Sequence, residues 1–170
     1  LDLQRLDVGN HPMMIQPIDL PNWLPGLVNG FKPRASSREQ QITLSIPDDL
    51  PEFLSDLASI DRILAELINN ACKYTPPGHD IYISVIGGAD SIKLCVVNTG
   101  VAISEKEQQR IFDKFYRVPS ADPWKQGGTG LGLALAQKLV AHLEGDISVA
   151  SQADQVAFTV ELPLTHSAAR

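Results

Sequence analysis

The sequence predicts an α+β fold: a two-layer α/β sandwich in which a mixed, mostly antiparallel sheet packs on helices. Two observations predict this class. Strand-like segments arrive in adjacent pairs along the chain, which disfavours the alternating pattern of a doubly wound sheet. Two longer segments, 57–74 and 131–145, repeat apolar residues at helical spacing. With 170 residues, 44% of them hydrophobic, the chain is long enough for one domain with a sizeable core.

The first 53 residues carry weak signals. Residues 1–9 are typical of the last turns of an amphipathic helix that ends at a glycine. Within the proline-rich stretch that follows, we predict a helix over 23–32, whose start is uncertain because a Pro-Gly pair lies inside it. Alternating polarity predicts a strand over 42–46, and 47–53 has the composition of a loop.

The strongest helix signal covers 57–74, with Asp56 placed to cap its N-terminus. Its apolar positions recur on one face: Ile60, Ile63, Leu64, Leu67 and Ala71. A proline-glycine break ends the helix. Two alternating segments, 81–86 and 92–97, then predict an antiparallel hairpin because a short turn sequence, GGADS, separates them.

The remaining elements complete the sandwich. We predict a short helix over 104–117 that ends in aromatic residues, and a loop over 118–130. The segment LGLALAQKLVAHLEG predicts a second strong helix, ended by Gly145. Two strands, 147–151 and 156–162, close the chain as another hairpin.

Charge and composition exclude several functional classes. The net charge of −6 disfavours a general nucleic-acid or anionic-membrane surface, although a few local donors suffice for a small phosphorylated ligand. No apolar run approaches the roughly 18 residues of a membrane span, and no signal-peptide pattern is present. The two cysteines lack metal-ligand spacing and favour a reducing, intracellular compartment. Because the chain begins at Leu1 rather than Met, we expect a fragment or a processed chain.

A polar stripe lies on the strongest helix. Residues four apart on a helix are displaced by about 40° and residues seven apart by about 20° in the other direction, so Glu66, Asn70 and Lys73 share one face. The stripe is either a solvated helix face or a site for a divalent cation and phosphate. In the second case the amide oxygen is a hard ligand suited to Mg²⁺, and the lysine is a point charge for phosphates. These residues alone leave both interpretations open.

The segment GGTGLGL, 127–133, is a second candidate site, because a glycine-rich loop there enters an apolar helix. Unpaired backbone amides and the helix dipole make such a junction suitable for phosphate, although the glycines could also serve only a tight turn. The dinucleotide fingerprint is excluded because position 133 is leucine and no strand precedes the loop; the P-loop is excluded because it lacks G-K-[ST]. The long preceding loop suggests a lid that orders over a ligand.

Three segments together resemble the sensor histidine kinases of the GHKL ATPase superfamily. ELINNACKYTP (66–76) resembles their asparagine box, IFDKFYR (111–117) their phenylalanine box, and GGTGLGLALAQKLV (127–140) their second glycine box. The resemblance extends over nearly the whole chain and implies the Bergerat-type ATP-binding fold. It also implies the domain organisation: 1–10 is the end of a preceding dimerisation-hairpin helix, 11–165 the catalytic ATP-binding domain, and 166–170 a tail.

The resemblance also implies roles for individual residues. Asn70 would bind Mg²⁺ bridging the ATP phosphates, Lys73 would contact phosphate, and Tyr74 would contact the adenosine side. Glu66, at the position of the water-activating acid of related hydrolases, would order the Mg²⁺ shell. Catalytic candidates are therefore Glu66, Asn70 and Lys73. The implied nucleotide-contacting set is Asn70, Lys73, Tyr74, Asn98, Gly100, Ala102, Ile103, Gly128, Thr129, Gly130, Leu131 and Gly132.

Two aromatic residues of the phenylalanine box, Phe112 and Phe115, are expected to anchor the lid in the core. The adenine-binding box departs from the family pattern D-x-G-x-G, because Asn98 replaces the aspartate and Ala102 replaces the last glycine. An amide oxygen still accepts a hydrogen bond from adenine, but without a charge, so adenine binding should be weaker by roughly 1 kcal/mol and retained.

No histidine fits the phosphate acceptor of a histidine kinase. His11 precedes proline, His79 lies in a turn, His142 lies in mid-helix and His166 lies in the tail. The expected function is therefore the ATP-binding catalytic domain of a two-component sensor histidine kinase. It would bind Mg-ATP and transfer the γ-phosphoryl group to a histidine on an adjoining dimerisation domain outside this chain.

The resemblance implies further partners and a location. These are ATP or ADP, the histidine-bearing hairpin and, through the parent protein, a response regulator receiver domain, with no nucleic acid. We expect this fragment to be monomeric, its parent protein to be a homodimer and the catalytic region to be cytoplasmic. Whether the parent has a membrane anchor stays open. A degenerate binding module is the alternative. A GHKL hydrolase or anti-sigma serine kinase is disfavoured by the phenylalanine box.

Overall fold

The computed structural model describes residues 12–116 and 130–166 of the chain. Their strands form a five-stranded sheet and a separate two-stranded ladder, and four helices accompany them. In chain order the elements are β1 (Ile15–Pro17), α1 (Leu20–Ser37), β2 (Gln41–Ser45), β3 (Leu54–Asp56), α2 (Leu57–Tyr74), β4 (Asp80–Gly87), β5 (Ser91–Thr99), α3 (Glu105–Gln108), α4 (Gly132–His142), β6 (Asp146–Gln152) and β7 (Gln155–Pro163).

The five-stranded sheet has the order β2–β4–β5–β7–β6. Both predicted hairpins, β4–β5 and β6–β7, are present and antiparallel, and β5 also pairs antiparallel with β7. The pair β2–β4 is parallel, because α2 lies between these strands in the chain. The sheet is therefore mixed and mostly antiparallel, which confirms the predicted fold class.

The core lies between one face of the sheet and the helices. Alternate residues of β4, β5 and β7 are buried, as in a sheet with one covered face. The apolar face of α2 packs on this layer, and all five positions predicted for it are buried at 2% exposure or less. Helix α2 also contacts α4 and β5, so it lies at the centre of the helical layer.

The N-terminus of α2 is fixed by Asp56, as predicted. Its side chain is 8% exposed and accepts hydrogen bonds from Ser59 N at 3.2 Å, Ser59 Oγ at 2.5 Å and Met14 N at 3.1 Å. Asp56→Ala would remove the buried carboxylate that accepts these hydrogen bonds and leave their donors without a partner. We expect the free energy of unfolding to fall by about 2–3 kcal/mol, measured by urea denaturation.

A second helix cap provides the control. Ser104 accepts a hydrogen bond from Glu107 N at the start of α3, but it is exposed and the helix has only four residues. Ser104→Ala is therefore expected to cost less than about 1 kcal/mol. Equal losses from the two substitutions would contradict the role assigned to Asp56.

Three parts of the fold differ from the predictions. Helix α1 is longer than predicted, at Leu20–Ser37, and contains Pro25 and Pro33 in its interior. Four apolar side chains at helical spacing bury it against the core, which compensates for the missing backbone donors: Leu20, Leu24, Val28 and Ala35. Helix α3 is shorter than predicted, because turns replace it after Gln108. The β1–β3 ladder was missed because three-residue strands carry no periodic signal.

The end of α4 also differs in detail. The residue with left-handed backbone is Glu144, at φ 63°, and not the glycine after it. Gly145 N donates to Val140 O at 2.9 Å and Glu144 N to Ala141 O at 2.9 Å, which together form a Schellman motif. The helix therefore ends where the sequence predicts, but the residue with left-handed backbone is Glu144 rather than Gly145.

Some predictions fall outside the described residues. These are the helix over 1–9, the domain boundary at 10 and most of the loop over 118–130. His166, predicted to begin the tail, is 5% exposed, and its Nδ1 lies 3.2 Å from Glu144 Oε2. Within the described ranges, no helix combines the length and apolar character needed to cross a membrane.

Candidate functional site

The polar stripe lies on the second half of α2. Glu66, Asn70 and Lys73 are each half-buried there, because the opposite face of the helix packs on the core. The two neighbouring asparagines differ: Asn69 Oδ1 accepts a hydrogen bond from Arg34 Nη1 on α1 at 2.5 Å. In the part of the chain that the structure describes, no residue bonds the Asn70 side chain. Asn69 therefore links α2 to α1 through this hydrogen bond, whereas the Asn70 amide is available to a ligand.

The glycine loop meets this stripe at Glu66. Arg62 Nη2 lies 3.1 Å from Glu66 Oε1, and a Cβ atom added to Gly132 would lie 2.4 Å from Glu66 Oε2. The carboxylate thus lies against the first residue of α4, where a helix dipole favours negative charge. The fold therefore brings together the segments that resemble the asparagine box and the second glycine box, which are distant in sequence.

Gly130 fixes the other side of the glycine loop. Its φ is +78°, and its carbonyl oxygen accepts a hydrogen bond from Phe115 N at 2.9 Å. A Cβ atom at this position would lie 2.7–2.9 Å from the backbone of Phe115. Leu131, 5% exposed, is the N-cap of α4. Gly128 and Thr129 lie outside the described residues.

The two aromatic residues predicted to anchor the lid behave differently. Phe112 packs on the core, and its ring meets the edge of Phe158 at a centroid distance of 6.0 Å, as predicted. The prediction for Phe115 is wrong, because its side chain is 58% exposed and its φ is 66°. The hydrogen bond to Gly130 holds its backbone in this left-handed conformation and turns the side chain away from the core.

The box predicted to receive adenine lies at the end of β5. Asn98 is 3% exposed, an unusual burial for an amide side chain, and the fold places it opposite Ile81 on β4. Gly100 follows at φ +80°, and its amide donates to Asp154 O at 2.9 Å. A Cβ atom there would lie 2.6 Å from the ring of His79, a neighbour that the sequence did not indicate.

Ala102, the last residue of this box, and Ile103 after it have ordinary surroundings. Ala102 is exposed and does not adopt a left-handed backbone, so this position does not require glycine. Ile103 N donates to Ser151 Oγ at 2.9 Å, and its side chain packs partly on the core.

The donor set fits a hard cation only in part. Amide and carboxylate oxygens, as on Asn70 and Glu66, are suitable ligands for Mg²⁺. Among the residues with described structure, however, no group of three or more His, Cys, Asp and Glu side chains could hold a metal ion. An ion here would need most of its ligands from phosphate oxygens and water, which is the usual manner of binding for Mg²⁺.

Cys72 lies on α2 between Asn70 and Lys73 but faces the core, with no exposed surface. Burial raises the pKa of its thiol above the ordinary 9.0, and the nearby Arg34 and Arg38 partly oppose this rise. The unfolded chain therefore loses this proton at a lower pH than the folded chain. We expect stability to fall as the pH rises above about 9, and Cys72→Ala to weaken that fall in urea denaturation. The same slope in both proteins would contradict it.

Comparisons with known proteins agree with this geometry. The circadian input-output histidine kinase CikA of Synechococcus elongatus is 31% identical over 96% of this chain and 22% of its own length. The sensor protein VanSB of Enterococcus faecalis is 32% identical over 97% of this chain and 37% of its own. Full-length ShkA in complex with AMPPNP shares the fold at a TM-score of 0.85 and 23% identity, over 98% of this chain and 35% of that one.

The chain thus spans less than half the length of these relatives. Residues 55–166, more than half of the chain, match a family model described as histidine kinase-, DNA gyrase B-, and HSP90-like ATPase. The matched range includes α2, the predicted adenine-binding box and the glycine loop, which are the three parts of the candidate site. The chain belongs to the family of histidine kinase-, DNA gyrase B- and HSP90-like ATPases.

Proposed function

We propose that this chain is the ATP-binding catalytic domain of a sensor histidine kinase. It binds Mg-ATP and transfers the γ-phosphoryl group to a histidine on an adjoining dimerisation domain. The observation that carries the proposal is the contact of Glu66 with Gly132, which places the polar stripe of α2 beside the glycine loop. The named histidine kinase CikA and the AMPPNP bound in ShkA support the assignment of nucleotide and reaction.

Each part of the site has a separate role in this proposal. Asn70 offers its amide oxygen to Mg²⁺, and Lys73 places a positive charge toward the phosphates. Glu66, held by Arg62 at 3.1 Å, orients the ligands around the ion. Bound Mg²⁺ would neutralise charge on the β- and γ-phosphates. The chain's own contribution is positioning and charge complementarity, which dominate phosphoryl transfer.

The nucleoside end relies on Tyr74 and on the box around Asn98. Tyr74 ends α2 and contacts the adenosine side, and Asn98 accepts a hydrogen bond from the adenine amino group. Because Asn98 is neutral, affinity should be lower than with an aspartate by roughly 1 kcal/mol. Gly100 and Ile103 line the entry, with Ala102 beside them. We propose that the phosphates are contacted by the glycine-loop set, Gly128, Thr129, Gly130, Leu131 and Gly132.

The transfer itself needs a partner outside this chain. An imidazole nitrogen of the acceptor histidine forms a bond to the γ-phosphorus as the bond to the β–γ bridging oxygen breaks, and ADP leaves. We propose that a helical hairpin of a homodimeric parent carries that histidine. A response regulator receiver domain then takes the phosphoryl group. By itself the chain is proposed to be monomeric and cytoplasmic.

Titration with ATP and ADP, with and without Mg²⁺, tests the binding step. We expect saturable binding of both nucleotides, with ATP binding strengthened by Mg²⁺, by isothermal calorimetry. Absence of binding at millimolar nucleotide would refute the proposal.

A second candidate is a degenerate binding module that keeps the fold and docks a partner without transferring phosphate. The departure at Asn98 favours it, because a neutral amide reduces the expected fit for adenine, whereas the backbone at Ala102 does not require the family's glycine. Phosphoryl transfer to a supplied acceptor separates the two candidates, since only the kinase produces it.

A further inference from the structure

We infer that Arg38 and Gln40 are positioning residues for nucleotide binding, although neither belongs to the site. They lie in residues 38–41, which run from the end of α1 to the first residue of β2 and which we call the α1–β2 bracket. Its side chains and backbone hold the C-terminal end of α2, where Lys73 and Tyr74 lie. The inference rests on the proposed function.

Gln40 makes the central contacts. Its side chain is 5% exposed, and Nε2 donates to Cys72 O at 2.8 Å and to Thr75 O at 2.6 Å. Its Oε1 is buried without a hydrogen-bond partner in the described structure. A buried amide oxygen without a hydrogen-bond partner destabilises the folded state. The two hydrogen bonds that the amide nitrogen donates must therefore offset this loss.

Two further carbonyl groups of this turn, those of Lys73 and Ala71, also have donors. Arg38 Nη2 donates to Lys73 O at 3.2 Å, and Thr75 donates to Ala71 O from both N, at 3.0 Å, and Oγ1, at 2.7 Å. The last carbonyl groups of a helix normally lack intrahelical partners and are free to fray. Here the bracket and Thr75 supply the partners, so the turn that bears Lys73 and Tyr74 is fixed.

The backbone of the bracket extends this support toward the adenine box. Gly78 N donates to Glu39 O at 2.7 Å, and Gln41 N donates to His79 O at 3.3 Å. The ring of His79 in turn packs against Gly100. Both sides of the site therefore depend on one segment. Because the backbone bonds survive side-chain substitution, Gln40 variants should disturb mainly the α2 side.

The test compares nucleotide affinity among variants that are measured while folded. Gln40→Met keeps the length of the side chain but removes both donated hydrogen bonds. We expect its Kd for Mg-ATP to rise about tenfold, because Lys73 and Tyr74 lose their fixed positions. Affinity is measured by calorimetry at a temperature at which circular dichroism shows the variant folded.

The control is Ile92→Val. Ile92 is a buried core residue near the start of β5, whereas Asn98 lies near the end of the same strand. It should lower the melting temperature and leave the Kd unchanged, so that loss of stability alone is separated from loss of positioning. If Gln40→Met does not fold, Arg38→Met, which removes one bond at a half-buried position, should raise the Kd about threefold.

The outcomes are distinguishable from those of the proposed function. If the unsubstituted chain binds no ATP, the proposed function fails. If it binds ATP and the bracket variant binds with the same Kd, or if Ile92→Val weakens binding equally, the positioning role is refuted.

Discussion

Replacing Asn70 by alanine is expected to abolish the strengthening of ATP binding by Mg²⁺ while leaving the fold intact. The Asn70 side chain is half-buried on α2, and no residue of the described structure bonds it, so its loss removes few native contacts. Its proposed role as a metal ligand has no substitute nearby, since no cluster of acidic or imidazole ligands gathers in the described ranges. We expect affinity for Mg-ATP to fall on the order of 100-fold, equal to about 2.7 kcal/mol.

The adjacent amide offers a matched control. Asn69→Ala removes the hydrogen bond from Arg34 and should cost about 1–2 kcal/mol of stability, because the partner is a charged group. It should leave the response to Mg²⁺ unchanged. Calorimetric titrations of both variants with ATP, with Mg²⁺ or EDTA, make the comparison. A persistent Mg²⁺ effect in Asn70→Ala, or an equal loss in Asn69→Ala, would remove Asn70 from the metal site.

Gly130→Ala is expected to have the second large effect. At φ +78° a side chain costs about 1–2 kcal/mol, and the added Cβ would lie 2.7 Å from the backbone of Phe115. Backbone cannot move aside as a flexible side chain can, so Gly130 and the backbone of Phe115 must move apart. We expect the free energy of unfolding to fall by several kcal/mol. We also expect ATP affinity to fall at least tenfold.

Gly78 separates these two causes. It also has a positive φ, +84°, but no atom lies within 4 Å of a Cβ built on it. Gly78→Ala therefore carries the cost of backbone conformation without the collision. We expect about 1–2 kcal/mol of destabilisation and unchanged ATP affinity, by urea denaturation and calorimetry. If the two alanine variants lose ATP affinity equally, the contact of Gly130 with Phe115 does not shape the site.

The elements that were predicted well are those in which local pattern and tertiary packing agree. Helix α2 runs from Leu57 to Tyr74 as predicted, because its capping residue and its apolar spacing indicate the same bounds. The two hairpins follow from alternating polarity around short turns. In α1, by contrast, prolines opposed a helix that burial of Leu24 and Val28 nevertheless stabilises. Local propensity was overridden there by packing that no local window contains.

The candidate site was predictable as separate motifs and not as an arrangement. The chemistry of Asn70 and Lys73 follows from residue type, and the motif resemblance supplied their roles. The contact of Glu66 with Gly132 and that of His79 with Gly100 join residues far apart in sequence, so only the fold indicates them. The exposed position of Phe115 depends on an unusual backbone conformation, which an aromatic residue gives no reason to expect.

Transfer of label from γ-labelled ATP to a separately supplied, histidine-bearing helical hairpin tests the kinase assignment most directly. We expect Mg²⁺-dependent labelling of the hairpin by the unsubstituted chain and none by Asn70→Ala. The labelled bond should be acid-labile, as expected for phosphohistidine. ATP binding without labelling of the hairpin would contradict the kinase assignment and favour the binding module.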